Sequence, residues 1–154
     1  MTITTTPPKL QTGHIGLNVS DLGRASRFYQ DVFGLTETKR SGDAGRAFAF
    51  LSEGSTLVLT LWQQSSGQFE TAAPGLHHLS FEVPSMDDVR DAETRARAAG
   101  ARFFHEGIVP HAEGTPSGGI FFADPDGIRL EIFASAGAEG SLAPVADAPT
   151  CGFF

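Results

Sequence analysis

The order strand, helix, three strands occurs twice along this chain of 154 residues. Residues 12–19 alternate in strand fashion, with His14, Gly16 and Asn18 on one face and Ile15, Leu17 and Val19 on the other. Ser20 and Asp21 offer N-cap oxygens to a helix that places Leu22, Ala25, Phe28, Tyr29 and Val32 at helical spacing and ends at Gly34. Strands are expected at about 35–41, 46–51 and 56–63, with Gly42 and Gly54 in the turns. A polar, glycine-bearing stretch then links to a second round. It comprises a strand at 76–83, a helix from Pro84, Ser85 and Asp87 to about Ala99 closed by Gly100, and strands near 101–109, 118–123 and 128–134. The offset is 64 residues from His14 to His78 and 66 from Gly34 to Gly100, a self-similarity that marks a duplicated supersecondary unit. The expected class is therefore α+β: two βαβββ modules, 12–64 and 76–135, whose mixed sheets form a cup within one domain of residues 12–135. Residues 1–11 read as a flexible leader. Residues 136–154, rich in Ala, Gly and Pro, read as a flexible tail, with an exception allowed at its Cys-Gly-Phe-Phe end.

Chemistry-bearing residues fall at equivalent places in the repeat. His14 opens Gly-His-Ile-Gly-Leu-Asn-Val, His78 opens His-Leu-Ser-Phe-Glu-Val, and each is followed five positions later by a valine. Glu131 interrupts the otherwise apolar Leu130-Glu131-Ile132-Phe133, where a buried carboxylate without a partner would be costly. Two imidazoles and a carboxylate make a ligand set that leaves positions open on a divalent metal, Fe(II) foremost. Facing each other across the cup floor, His14 and His78 would complete that set with Glu131. Strand alternation turns His77 to the other side, as an outer-face or loop residue. Aligning Leu59-Thr60-Leu61-Trp62 with the Glu131 strand puts Thr60 opposite the carboxylate. Threonine is a poor ligand, so three protein donors are expected, with room for a substrate.

Bulk properties narrow the partners. A net charge of −7, two lysines (Lys9 and Lys39) and dispersed arginines exclude a phosphate-tracking surface, and with it nucleic acid. The single cysteine, Cys151, forms no intramolecular disulfide and fits a reducing cytoplasm. No apolar run is long enough to span a bilayer, and the amino terminus lacks the pattern of a secretory signal.

Three segments, Gly-His-Ile-Gly-Leu-Asn-Val-Ser-Asp with Phe-Tyr-Gln-Asp-Val-Phe-Gly-Leu, Leu-His-His-Leu-Ser-Phe-Glu-Val, and Phe-Phe-Ala-Asp-Pro-Asp-Gly-Ile-Arg-Leu-Glu-Ile-Phe, resemble the vicinal oxygen chelate superfamily. That superfamily holds glyoxalase I, fosfomycin-resistance enzymes, bleomycin-binding proteins and type I extradiol dioxygenases. The resemblance covers roughly residues 12–135 and implies a metal held by His14, His78 and Glu131 that chelates two adjacent substrate oxygens. Isomerases of the glyoxalase type add a second acid, and none lies between Glu53 and Glu70. The fosfomycin branch adds a lysine and an arginine for the phosphonate, whereas no lysine follows Lys39 and no arginine follows Glu131. The extradiol branch uses His, His and Glu in this order and adds a histidine upstream of the Asp-Pro-Asp-Gly turn, a place that His111 matches as candidate catalytic acid–base. This chain departs from that branch at Phe121, where a tyrosine would fall, and at Gln63 or Gln64, where a histidine would. It also lacks the additional domain that full ring-cleaving enzymes usually carry.

Strand parity gives the expected lining: Phe48, Phe50, Thr60, Trp62, Phe121 and Phe133, an aromatic cavity for a small planar substrate with vicinal oxygens. The expected function is thus a metal-dependent, extradiol-type dioxygenase with Fe(II), or with Mn(II), Ni(II) or Zn(II), working as a cytoplasmic homodimer. The alternatives are a ligand-sequestering resistance protein of the bleomycin-binding type and a lyase or isomerase of the same superfamily. The sequence leaves open whether the cup closes within one chain or across two.

Overall fold

Asp21 accepts a hydrogen bond from the Arg24 N–H at 2.8 Å and so starts helix α1, Leu22–Phe33. A computed structural model describes residues 6–153; residues 1–5 of the expected leader and Phe154 of the expected tail lie outside them. Gly34 ends α1 at φ 70°, a left-handed position that glycine takes without strain. Helix α2, Met86–Ala98, starts at Ser85, whose Oγ accepts from the Asp88 N–H. Acidic Asp87 and Asp88 sit in its first turn and Arg95 and Arg97 in its last, matching the helix dipole.

Strand β1 (Ile15–Val19) precedes α1, and β2 (Thr36–Ser41), β3 (Phe48–Glu53) and β4 (Thr56–Gln63) follow it, giving sheet A in the order β1-β4-β3-β2 with β1 parallel to β4. Strand β5 (Leu79–Glu82) precedes α2. After it come β6 (Arg102–Phe103), β7 (Val109–Pro110), β8 (Gly118–Ala123) and β9 (Arg129–Ala134), giving sheet B in the order β5-β9-β8-β6, with β7 also on β8. The α+β class and the two mixed-sheet modules stand as expected. One strand does not: the segment predicted as a single strand at 101–109 splits into β6 and β7. They pair with opposite ends of β8, Arg102 with Ala123 and Val109 with Gly119, while the chain between them leaves the sheet.

A single core joins both modules. Leu17, Val19, Leu59 and Leu61 from sheet A, Phe28, Tyr29 and Val32 from α1, Val89, Ala92 and Ala96 from α2, and Ile120, Phe122, Leu130 and Ile132 from sheet B form one buried cluster. Each such side chain withdrawn from water stabilises the fold by roughly 1.5–3 kcal/mol before the entropy of ordering it is counted. The helices lie between the sheets: Phe28 meets Phe122 at 6.4 Å between ring centroids, Phe33 meets Phe81 at 5.0 Å, and Arg95 Nε donates to the Val32 carbonyl at 2.9 Å. Polar seams fix the modules' mutual position. The Ser20 N–H and Arg24 both bond Asp126, at 2.8 and 3.0 Å, the Ser20 hydroxyl bonds it too, and Tyr29 OH donates to Asp124 at 2.9 Å. Because the inner faces of both sheets are buried in this shared core, their open faces point away from each other.

The carboxy-terminal segment is anchored to the second module at two points. The Ala138 N–H bonds the Pro116 carbonyl at 2.9 Å, and a 3₁₀ turn at Thr150–Gly152 packs beside β7 with Thr150 fully buried.

Candidate metal centre

Glu131 sits mid-strand in β9 on the open face of sheet B, yet it is only 2% exposed. Its register partners are Ser80 on β5 and Phe121 on β8. Two imidazoles relieve the cost of burying it: His111 Nε2 hydrogen-bonds with Oε1, and His78 Nε2 lies 3.6 Å from Oε2. The His111 ring is held at its other end by Ser117 Oγ, 2.9 Å from Nδ1, and its backbone N–H bonds the Ser117 carbonyl. His78 is held likewise, its Nδ1 lying 2.8 Å from Nδ1 of His77. His77 thus lies in the exposed loop before β5, one of the two places expected for it, and there it partners His78. A second hydrogen bond that fixes ring orientation is the usual support for a ligating histidine. Burial lowers the pKa of His78 against the raising pull of Glu131, which favours the neutral imidazole that a metal requires.

The loop between β6 and β7, with the segment after it, covers this face. His105 lies edge-on to Phe121 at 5.7 Å, and His111 lies at 6.3 Å from Phe121 and 5.0 Å from Phe133. Phe121, expected to line a cavity, is consequently 0% exposed and lies under the two imidazoles. Thr150 fastens the cover: its N–H donates to the His111 carbonyl and its Oγ1 to the Pro110 carbonyl, both at 2.7 Å. Next to it, burial and the nearby Glu131 charge push the Cys151 thiol upward.

His14 is elsewhere. It precedes β1 on the open face of sheet A, with Gly16, Asn18, Thr60 and Trp62, and that face points away from Glu131. Among the described residues no three His, Cys, Asp or Glu side chains of one chain converge as a metal site. Of the three expected donors, the single chain brings only His78 and Glu131 together. Thr60 is buried and accepts a hydrogen bond from Trp62 Nε1 at 3.0 Å, and it offers no carboxylate at this place. Phe48, Phe50 and Trp62 cluster on the same face, with ring centroids 5.2, 5.4 and 6.2 Å apart. A cleft of about 550 Å³ lies elsewhere, along α1 and the end of α2, where Arg24, Arg27 and Phe28 line it without converging ligands.

Of the residues named from sequence, the fold gathers His78, Glu131, His111, Phe121 and Phe133 on one face and His14, Thr60, Phe48, Phe50 and Trp62 on the other. Sequence reasoning missed His77, Ser117, Thr150 and the covering role of His105. Only the tandem His77-His78 carried a local signal.

A family model described as "Glyoxalase/Bleomycin resistance protein/Dioxygenase superfamily" matches residues 11–132. A probable lactoylglutathione lyase of Vibrio parahaemolyticus is 31% identical over 143 residues, covering 82% of this chain and 95% of that protein. A catechol-2,3-dioxygenase of Bacillus subtilis is 26% identical over 125 residues; the match takes in 79% of this chain but spans only 40% of the dioxygenase's length. Among solved structures, the fosfomycin resistance protein FosX from Listeria monocytogenes, complexed with Mn(II) and sulfate ion, is similar at 26% identity. Its TM-score is 0.61, over 84% of this chain and 95% of that one. Among the described residues no helix is long and apolar enough to cross a membrane.

Proposed function

Since the chain belongs to the Glyoxalase/Bleomycin resistance protein/Dioxygenase superfamily, we propose that it is a metal-dependent enzyme acting on a small aromatic substrate with vicinal oxygens, most like an extradiol-type dioxygenase. The observation that carries this reading is the buried Glu131 flanked by His78 and His111, each imidazole braced from behind. We infer further that the site is completed across a homodimer, with His14 of a second copy joining His78 and Glu131. β1 and β5 are edge strands of their sheets, and edges of this kind call for cover.

A divalent ion held there, Fe(II) by preference and Mn(II), Ni(II) or Zn(II) otherwise, would supply Lewis acidity and a template for two adjacent oxygens. The chain's own residues do the rest. Glu131 presents Oε2 beside His78 while His111 holds Oε1, so the carboxylate cannot rotate. His111, fixed by Ser117, is the acid–base group: in the tautomer that carries its proton on Nδ1 toward Ser117 Oγ, Nε2 is unprotonated and would accept the proton of a substrate hydroxyl that takes the carboxylate's place. Phe133 and the covering segment exclude water from this side. Opposite, Phe48, Phe50 and Trp62 offer flat surface for an aromatic ring. Thr60, standing where a second acid would be needed and already bonded to Trp62, disfavours a proton-shuttling lyase.

Protein purified without chelators should retain about one divalent ion per chain, and His78→Ala should abolish retention. With Fe(II) added, oxygen uptake should appear with catechol-type substrates. Less than about a tenth of an equivalent of metal, with no gain on Fe(II) addition, contradicts the enzyme reading and favours a ligand-sequestering protein.

A further inference from the structure

The open faces of the two sheets are equivalent by repeat but not alike. That of sheet B is covered over β8 by the chain's own loop and carboxy-terminal segment, with the His78 and His111 side chains left partly exposed. That of sheet A is bare, and Trp62 is 36% exposed on it. Two rows of side chains cross it in register: Gly16, Thr60, Phe50, Lys39, and beside them Asn18, Trp62, Phe48, Ser41. Gly16 contributes no side chain, and Trp62 covers this end of the row: its Nε1 donates to Thr60 Oγ1 and would lie 3.7 Å from a Cβ at Gly16, so Thr60 is 2% exposed.

Lys39 lies at the far end of the first row, its Nζ 5.6 Å from the Phe50 centroid and 5.8 Å from that of Phe48. Among the described residues it makes no ion pair. Arg24, Arg40, Arg90 and Arg97 each meet a carboxylate, and the acid nearest along its strand, Glu37, is held by Arg40 and Ser26. Lys39 is exposed, so its ammonium is open to an incoming anion, with two aromatic rings beside it. Ring faces attract an ammonium, yet a carboxylate lying on those rings would pair with it far better.

We propose that Lys39 recognises the anionic group of the substrate, whose aromatic part lies on Phe48, Phe50 and Trp62. This rests on the reading of that face as the substrate side of the site and narrows it to a class: planar aromatic acids whose anionic group lies at the opposite end from the vicinal oxygens. The row from Gly16 to Lys39 crosses three strand gaps, about 14 Å, and His14 lies beyond Gly16 on the same face. Catechol itself, with no such group, is a poor substrate under this assignment.

Trp62 is the single tryptophan, so its emission reports this face alone. Cinnamate and cinnamamide are titrated against the as-purified full chain and against metal-stripped protein, since neither probe carries vicinal oxygens. Cinnamate is expected to bind about tenfold tighter than the amide. Lys39→Met should bring it to the amide's level without altering amide binding, and Lys39→Arg should keep the preference. Equal binding of acid and amide, an undiminished preference in Lys39→Met, or no change in Trp62 emission with either probe would overturn the proposal. A Lys39-dependent preference in protein that retains no metal upholds this subsite while sinking the metal reading. Metal retention with no acid preference does the reverse.

Discussion

Asp124 is the residue at which folding and titration are most tightly joined. Its carboxyl opens the Asp-Pro-Asp-Gly turn, accepts from Tyr29 OH and from the Asp126 and Ile128 N–H groups, and is 5% exposed. Burial outweighs those hydrogen bonds and pushes its pKa up to about 6. A carboxyl raised in the folded state is most stabilising while protonated. Its contribution is whole below the unfolded value near 4 and is lost as pH rises to about 6, amounting to roughly 3 kcal/mol. Asp124→Asn should therefore flatten the pH dependence: urea denaturation from pH 4 to 7 should show the variant gaining on the parent as pH rises. Parallel curves would contradict the assignment. At Glu131 the expectation is the opposite of a surface change. His111→Phe leaves Oε1 buried without its partner and should lower stability by about 1–3 kcal/mol, read as a fall in Tm. Residues of this kind were legible where they break an apolar pattern, as Glu131 does in its strand. Ser117, Thr150 and His77 were not, because what they contribute is a hydrogen bond whose partner the sequence does not announce.

Among the elements, β8 shows what periodicity can and cannot say. All six of its residues, Gly118–Ala123, are buried, although one face of its sheet looks away from the core. The reason is the segment after β6, which the sequence presents as one more strand. The chain leaves the edge of β8 after β6, turns at Gly107 with φ 65° and rejoins that edge as β7, and the His105 and His111 rings of this stretch lie against Phe121. Gly119 marks the tightness that results: a Cβ there would stand 2.1 Å from the Ile132 carbonyl oxygen and 2.7 Å from Phe133 Cα. Gly119→Ala must separate β8 from β9, and should cost several kcal/mol, the range of severe core overpacking. A circular-dichroism melt within a degree or two of the parent would contradict this register. The strap at Thr150–Gly152 belongs to the same scale. Thr150→Val removes the hydroxyl that bonds the Pro110 carbonyl and should lower stability by about 1 kcal/mol, with Thr150→Ser restoring most of it. The helices were legible to within a residue or two because Asp21, Ser85, Gly34 and Gly100 punctuate them. The strap was not, because Ala, Gly and Pro composition reads as flexibility when its anchor is one buried threonine.

At the scale of the whole molecule, duplication dictated two like modules, and hydrophobic alternation dictated which face of each strand is buried. Neither says which two sheets close together. That depends on how the helices pack, and here α1 and α2 are buried between sheets A and B of one chain, so His14 and Glu131 point apart. The expectation that His14 and His78 face each other across one cup floor is met in this fold only if a second copy supplies one of them. Subunit complementation tests this directly. His14→Ala and His78→Ala chains carrying different tags are co-expressed, and the mixed dimer is isolated for metal analysis. Each variant alone should retain no metal. The mixed dimer should retain about half the metal of the unaltered dimer, because one of its two sites then draws intact His14 from one chain and intact His78 and Glu131 from the other. A mixed dimer as empty as its parents would contradict a site built across two copies.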